Sequence, residues 1–327
     1  MTDFDKTTGA SGTTARGIAT PSETPPLVET HRDQSASDRP LVGIGYVVAS
    51  MLAMTCLDAG AKFLVARYPV IEMLALRGLI SVPVLLLFMG KAGGWAKLKT
   101  SNPWGQGRRI FYSLAAPLLF FTALREMPLA DLTVMVFGSS FFMTALSVPL
   151  LGEKVGFFRW SAIAVGFSGV MVAAQPSGEI SMLMTVYAIA ASIAYAMLMI
   201  ETRRIGYVDS IFTLTLYPVI GVTIVTSLAA PFVWVPIDLS DTPLFVAVAI
   251  FGLAGHFLIN KAFTSAPVGT IAPFEYTALI WATIFGVVFF DELPGTQVWI
   301  GAAIIVSAGI AIVRREAMLN RSKKVDG

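Results

Sequence analysis

Cysteine and histidine are almost missing from this chain of 327 residues, which has one Cys and two His. The lone Cys56 excludes an intramolecular disulfide, and three soft ligands scattered along the chain match no metal-ligand spacing. No metal and no cofactor are expected. Charge is scarce as well, at 13% of residues against roughly a quarter in soluble domains. The 23 Lys and Arg exceed the 21 Asp and Glu by only two, and they spread over several loops, which speaks against nucleic acid as a partner. Apolar residues take the place of charge: 55% of the chain is hydrophobic and the mean hydropathy is +0.73. Such a chain has the lipid bilayer as its solvent.

Residues 1–40 are rich in Thr, Ser, Gly, Pro and Asp and contain no apolar run of signal-peptide type, so they read as a disordered, uncleaved tail. Beyond them, Pro, Gly and charge divide the sequence into ten apolar pieces near 41–66, 70–90, 108–126, 128–151, 157–174, 181–201, 210–232, 243–264, 267–290 and 296–313. Each is close to the roughly 20 residues a spanning helix needs. Alternate connections differ sharply in positive charge. Lys91, Lys97, Lys99, Arg108, Arg109, Lys154, Arg159, Arg203, Arg204, Arg314, Arg315, Arg321, Lys323 and Lys324 fall on one side, and Arg67 and Arg125 on the other. The positive-inside rule then predicts a multi-pass protein of the plasma (inner) membrane with both termini cytoplasmic. Trp160, Trp234 and Trp299 stand near predicted segment ends, where indoles suit the lipid interface.

An internal repeat is visible at an offset of 139 residues. It pairs Ala123 with Ala262, Pro128 with Pro267, Glu153 with Glu292, Gly156 with Gly295, Trp160 with Trp299 and Ser168 with Ser307; at 141, Tyr46 meets Tyr187 and Lys62 meets Arg203. The unit holds five segments, and an odd number obliges the second copy to enter the membrane from the opposite side. The expected fold is therefore all-α and integral to the membrane, with ten transmembrane helices as two inverted five-helix repeats. The divisions are a tail at 1–40, repeats at 41–175 and 176–315, and a basic cytoplasmic tail at 316–327. Inverted repeats that enclose a midplane site are the architecture of secondary transporters.

Three stretches, "ALREMPLADLTVMVF", "LLGEKVGFFRWSAIAVGFSGV" and "VVFFDELPGTQVWIGAAIIVSAG", resemble the third-to-fifth and ninth-to-tenth helices of the ten-helix, EamA-type drug/metabolite transporters. The resemblance covers about residues 41–315 and implies a carrier rather than an enzyme. Asp58 with Lys62, Glu72 with Arg77, and then Lys261, Ala262, Phe263, Ala272, Pro273, Tyr276, Glu292 and Pro294 look most like the S-adenosylmethionine uptake carriers within that superfamily. Glu275 is a departure, since those carriers tend to have a base between the Pro and the Tyr.

Charged side chains inside spanning segments are costly, at about 2.5–3.5 kcal/mol each near the centre on insertion scales, so each one asks for a partner or a wet cavity. Asp58 lies about 26 Å along its helix, and Lys62 follows on the same face, either as an intrahelical pair with a snorkelling ammonium or as a cavity wall. Arg77 has apolar neighbours on both sides and needs a group on another helix, Asp58 first among them. His256 and Asn260 share a face of the eighth segment; Lys261 and Glu275 sit in adjacent segments and would otherwise need each other. A carboxyl such as Glu275 in an apolar wall is a candidate proton carrier, which makes protons a candidate coupling ion. Tyr276, Trp281 and Phe141, with Phe142, could stack on a planar solute or simply pack. Prolines 83, 117, 149, 218 and 273 interrupt segments and predict kinks.

"GFSG" at 166–169 has the form of a rhomboid-type serine motif, with His256 as a conceivable base. Gly156, Trp160, Ala164 and Ser168 recur as Gly295, Trp299, Ala303 and Ser307, however, and a nucleophile needs no copy in each half. The stripe reads as a packing seam, within one chain or between two chains of a homodimer. Two functions survive: a carrier that moves a small polar or zwitterionic metabolite (S-adenosylmethionine, an amino acid or a nucleoside-like molecule), and a membrane scaffold or regulator that keeps the fold and moves nothing.

Overall fold

An apolar segment removed from water must satisfy its own backbone N–H and C=O groups, and a helix does so without a partner. The computed structural model is accordingly helical throughout its spanning parts. It describes residues 40–91, 100, 102–152, 155–174, 181–205, 209, 211–266 and 268–325, and contains no strand among them. The expected tail at 1–40 lies outside these residues apart from Pro40, as do Glu153, Lys154, Lys97 and Lys99.

The helices are α1 (Pro40–Val65), α2 (Val70–Lys91), α3 (Pro103–Leu124), α4 (Leu129–Phe137), α5 (Ser139–Leu151), α6 (Phe157–Ala173), α7 (Met182–Ile205), α8 (Ile211–Ala229), α9 (Thr242–Ser265), α10 (Val268–Ile271), α11 (Thr277–Phe290) and α12 (Thr296–Val325). Among the described residues, eight stretches are long and apolar enough to cross a membrane, with α6 as a shorter apolar helix. The 22-residue α3 carries Arg108 and Arg109 in its first two turns. Large apolar side chains such as Leu87, Phe88, Phe111, Met171, Leu228 and Val288 are exposed, an apolar surface that suits lipid and not water. The protein is thus a multi-pass membrane protein.

Three segments differ from expectation. The fourth is two helices, because Gly138 ends α4 and starts α5. The ninth is also interrupted: α10 passes into a 3-10 turn, Ala272–Tyr276, before α11 begins. The second break falls at Pro273, one of the prolines expected to interrupt a segment, whereas the first, at Gly138, carries neither proline nor charge. The last helix does not stop near 313 but continues to Val325.

Helices pack in pairs: α1 on α9, α3 on α7, α6 on α12 and α2 on α8, with α4 against α11. The α6–α12 seam is not the expected stripe. Gly156, Trp160, Ala164 and Ser168 are exposed, as are Trp299, Ala303 and Ser307, whereas Gly166, Gly169, Ala173, Gly301 and Ala308 are buried. A Cβ on Gly301 would lie 2.6 Å from the Gly169 carbonyl oxygen, so the two backbones touch there. The seam sits one helical step from the repeated stripe, and the Ser168 hydroxyl donates locally to Val165 O at 2.7 Å.

One end of the bundle, where α1 begins, is called the near face, and the other the far face. Near-face order rests on Arg109, which is buried. It donates to Gln106 Oε1 (3.0 Å), Thr202 Oγ1 (3.1 Å) and Leu214 O (2.7 Å), and so ties α3 to α7 and α8. The main apolar core, with Leu64, Met73, Leu124, Met127 and Leu132, lies in the far half.

Candidate transport site

The site begins with Asp58 on α1. The half-buried carboxylate lines a cavity of about 90 Å³ with Phe120 of α3 and Thr133, Val136 and Phe137 of α4. That is room for about three waters, well below the roughly 300–1,000 Å³ of a metabolite-sized pocket. Arg77 of α2 is in electrostatic contact with Asp58 and with His256. Its guanidinium runs along α9 at Gly252, where an added Cβ would stand 3.0 Å from Nη2 and 2.8 Å from Leu57. Glycine there lets the arginine cross. One turn on, His256 Nδ1 lies 2.7 Å from Gly252 O.

His256 is exposed, and Tyr195 of α7 is 45% accessible. Asn260, on the His256 face of α9, is exposed too. Glu275 sits in the 3-10 turn within electrostatic reach of Tyr195 and Tyr276. Arg77 thus links Asp58 with His256, and Glu275 groups with Tyr195 and Tyr276 at the 3-10 turn.

Other expected residues go elsewhere. Lys62 does not pair with Asp58. It makes an ion pair with Glu292 and donates to Met127 O at 2.8 Å, with the Phe290 ring 4.9 Å from the ammonium. Glu292 also accepts from Leu129 N at 3.1 Å, and Phe63 stacks on Phe290 at 4.6 Å. These contacts join α1, the start of α4 and the end of α11 into a seal at the far face. Glu72 serves the far-face loop instead of Arg77, accepting from Val235 N at 3.1 Å. Lys261 lies over the Phe257 ring at 5.7 Å.

The aromatic candidates are mostly structural. Phe141 is 1% exposed, with its ring against Gly166 and 6.3 Å from Phe167, so it packs α5 on α6 and offers no surface to a solute. Tyr276 stacks on Phe137 at 5.0 Å and points its hydroxyl at Gly309 of α12. The Trp281 indole N–H is buried without a hydrogen-bond partner. The sequence did not single out Tyr195, Gly252, the contact of Glu292 with Lys62 or the buried Asp131. The last two stood inside quoted motifs, but their partners are distant in sequence.

Among the described residues no cluster of His, Cys, Asp and Glu could hold a metal. The chain is similar to several characterised transporters. It is 29% identical to the S-adenosylmethionine uptake transporter of Rickettsia bellii over 287 residues, which cover 87% of this chain and 97% of that one. It is 26% identical to the riboflavin transporter of Rhizobium johnstonii (74% and 79% covered) and 24% identical to the pseudopaline exporter of Pseudomonas aeruginosa (83% and 96% covered). A crystal structure with 18% identity superposes with a TM-score of 0.56 over 82% of this chain and 98% of its own, a likeness of fold. The profile of the EamA-like transporter family matches residues 41–175 and 182–314. With most of its length matched in two tandem copies, this chain belongs to the EamA-like transporter family, and it is a transporter and not an enzyme.

Proposed function

We propose that the chain is a secondary carrier that moves a small polar or zwitterionic organic metabolite across the inner membrane by alternating access. The observation that carries this reading is the meeting of Asp58, Arg77 and His256 inside the bilayer part of the bundle, beside a cavity and two interrupted helices. Ions held there at such cost belong to a pathway.

The mechanism needs two equivalent halves, and several contacts support ten crossings in two inverted repeats. Exchanging the halves turns the α1–α9 packing into α7–α3 and leaves α2–α8 and α6–α12 unchanged. Phe137 and Tyr276 are 139 residues apart and touch each other, as equivalent residues do on a twofold axis. The break at Gly138 recurs at Thr277, and the left-handed cap at Gly152 (φ 68°) recurs at Asp291 (φ 55°).

With both termini cytoplasmic, the Lys62–Glu292 contact closes the outer end as a seal, while the exposed His256, Asn260 and Tyr195 lie toward the inner side. We read this as the inward-facing state. Asp58 and Arg77 would take opposite charges of a zwitterion, and Tyr195 a planar ring. S-adenosylmethionine and riboflavin, the solutes in the relatives' names, both carry such a ring. Counterflow in proteoliposomes with S-adenosylmethionine, amino acids, nucleosides and riboflavin tests the reading. Exchange of one of them above protein-free vesicles is expected. No exchange of any would leave a scaffold.

A further inference from the structure

At the outer seal, charges do not balance. Lys62 is 7% exposed and Asp131, in the first turn of α4, is 3% exposed; Glu292 is the third member. One cation thus faces two carboxyls, and each of the three is in electrostatic contact with the others. Two of the three ammonium protons of Lys62 are used by Glu292 and Met127 O, and the Phe290 ring lies beside the same nitrogen. Glu292 has both oxygens engaged, by Lys62 and by Leu129 N–H. Asp131 Oδ1 is buried and has no hydrogen-bond donor at all. A bare carboxylate oxygen without donors beside a second carboxylate is a state that proteins relieve by keeping a proton.

Among the described residues no other group supplies the missing charge. On the α3–α4 turn, Arg125 and Glu126 are exposed. Toward α4, α7 contributes Ser192, bonded to Met135 O, and Tyr187 is its titratable side chain in the adjoining core. The arginines of α3, α6 and α12 (Arg108, Arg109, Arg159, Arg314 and Arg315) stand at the near-face ends of their helices, and Asp291 is exposed on the connection after α11.

We propose that the Lys62–Glu292–Asp131 cluster is a proton-binding site, in which Asp131 holds one exchangeable proton while the outer seal is closed. When the seal opens, water enters, the Asp131 O–H bond breaks with its electron pair left on oxygen, and water takes the proton. The site is distinct from Asp58, Arg77 and Glu275.

Infrared spectroscopy of the purified full chain in lipid nanodiscs reads the proton directly. At neutral pH the wild type is expected to have a protonated-carboxyl C=O band that is lost in Asp131→Asn. Should that variant not fold, Glu292→Gln gives the same answer: with one carboxyl left for one ammonium, Asp131 ionises and the band is lost. Equal protonated-carboxyl intensity in wild type and either variant overturns the proposal. Its part in coupling rests on the carrier reading, but the infrared measurement needs no solute. A carrier without the proton and a proton site in a chain that moves nothing are therefore told apart by the counterflow assay.

Discussion

At the scale of single residues, the proposed site turns on Arg77. It reaches from α2 across Gly252 of α9 toward Asp58 of α1. Hydrogen bonds to charged groups contribute about 1.5–3 kcal/mol, so Arg77→Gln and Asp58→Asn should each lower counterflow by about 10- to 100-fold without changing the amount of folded protein. Gly252→Ala tests the crossing itself. The new Cβ would stand 3.0 Å from the guanidinium and 2.8 Å from Leu57, and the expected result is a loss of flux with a melting temperature lowered only slightly. Substitution of Phe141 should do the reverse. Burial at 1% means that Phe141→Ala opens a core cavity at a cost of about 3–5 kcal/mol, read as a lower melting temperature in detergent. The sequence announced Asp58, Arg77 and His256, because a charge or an imidazole in an apolar run stands out wherever it occurs. It could not tell that Lys62 bonds Glu292, 230 residues away; spacing along one helix names only the neighbours on that helix.

Among elements, the informative features are the interruptions and the seal. α4 stops at Gly138 and α11 starts after a 3-10 turn, and Phe137 and Tyr276 meet between them. The break at Gly138 was not legible, since Gly is common within spanning helices, whereas the second was marked by Pro273. The α6–α12 seam was legible only as a tendency. Small residues recur at helical spacing on two adjacent faces, and close backbone approach selects the face of Gly169 and Gly301. A Gly301→Val variant should therefore destabilise the bundle by about 1–3 kcal/mol through overpacking, whereas Ala303→Val on the exposed stripe should leave the melting temperature unchanged. The seal offers a functional test. Cysteines at 62 and 292, in a Cys56→Ser background, bridged by a short bis-maleimide, should stop flux relative to the same double variant left unbridged. Undiminished flux with the cross-link in place would remove the seal from the transport cycle.

Across the whole molecule, composition pointed to an integral membrane protein, and apolar runs of about 20 residues pointed to helices that span it. Pairing of the halves was visible in Pro128 with Pro267 and Trp160 with Trp299, residues rare enough to be counted above the apolar background. Invisible in one dimension were the partners across the bundle, such as α1 with α9 and α3 with α7, since helices that span a bilayer carry little pattern beyond length. The account depends on two halves that enter the membrane in opposite directions around a shared chamber. Single cysteines at Gly156 and Gly295, equivalent in the repeat, can be labelled in intact cells with a membrane-impermeant thiol reagent, again without Cys56. Labelling of the Gly295 position from outside, with the Gly156 position reached only after the membrane is opened, is the predicted result; equal labelling of both from the same side would contradict the inverted arrangement and the alternating-access carrier built on it.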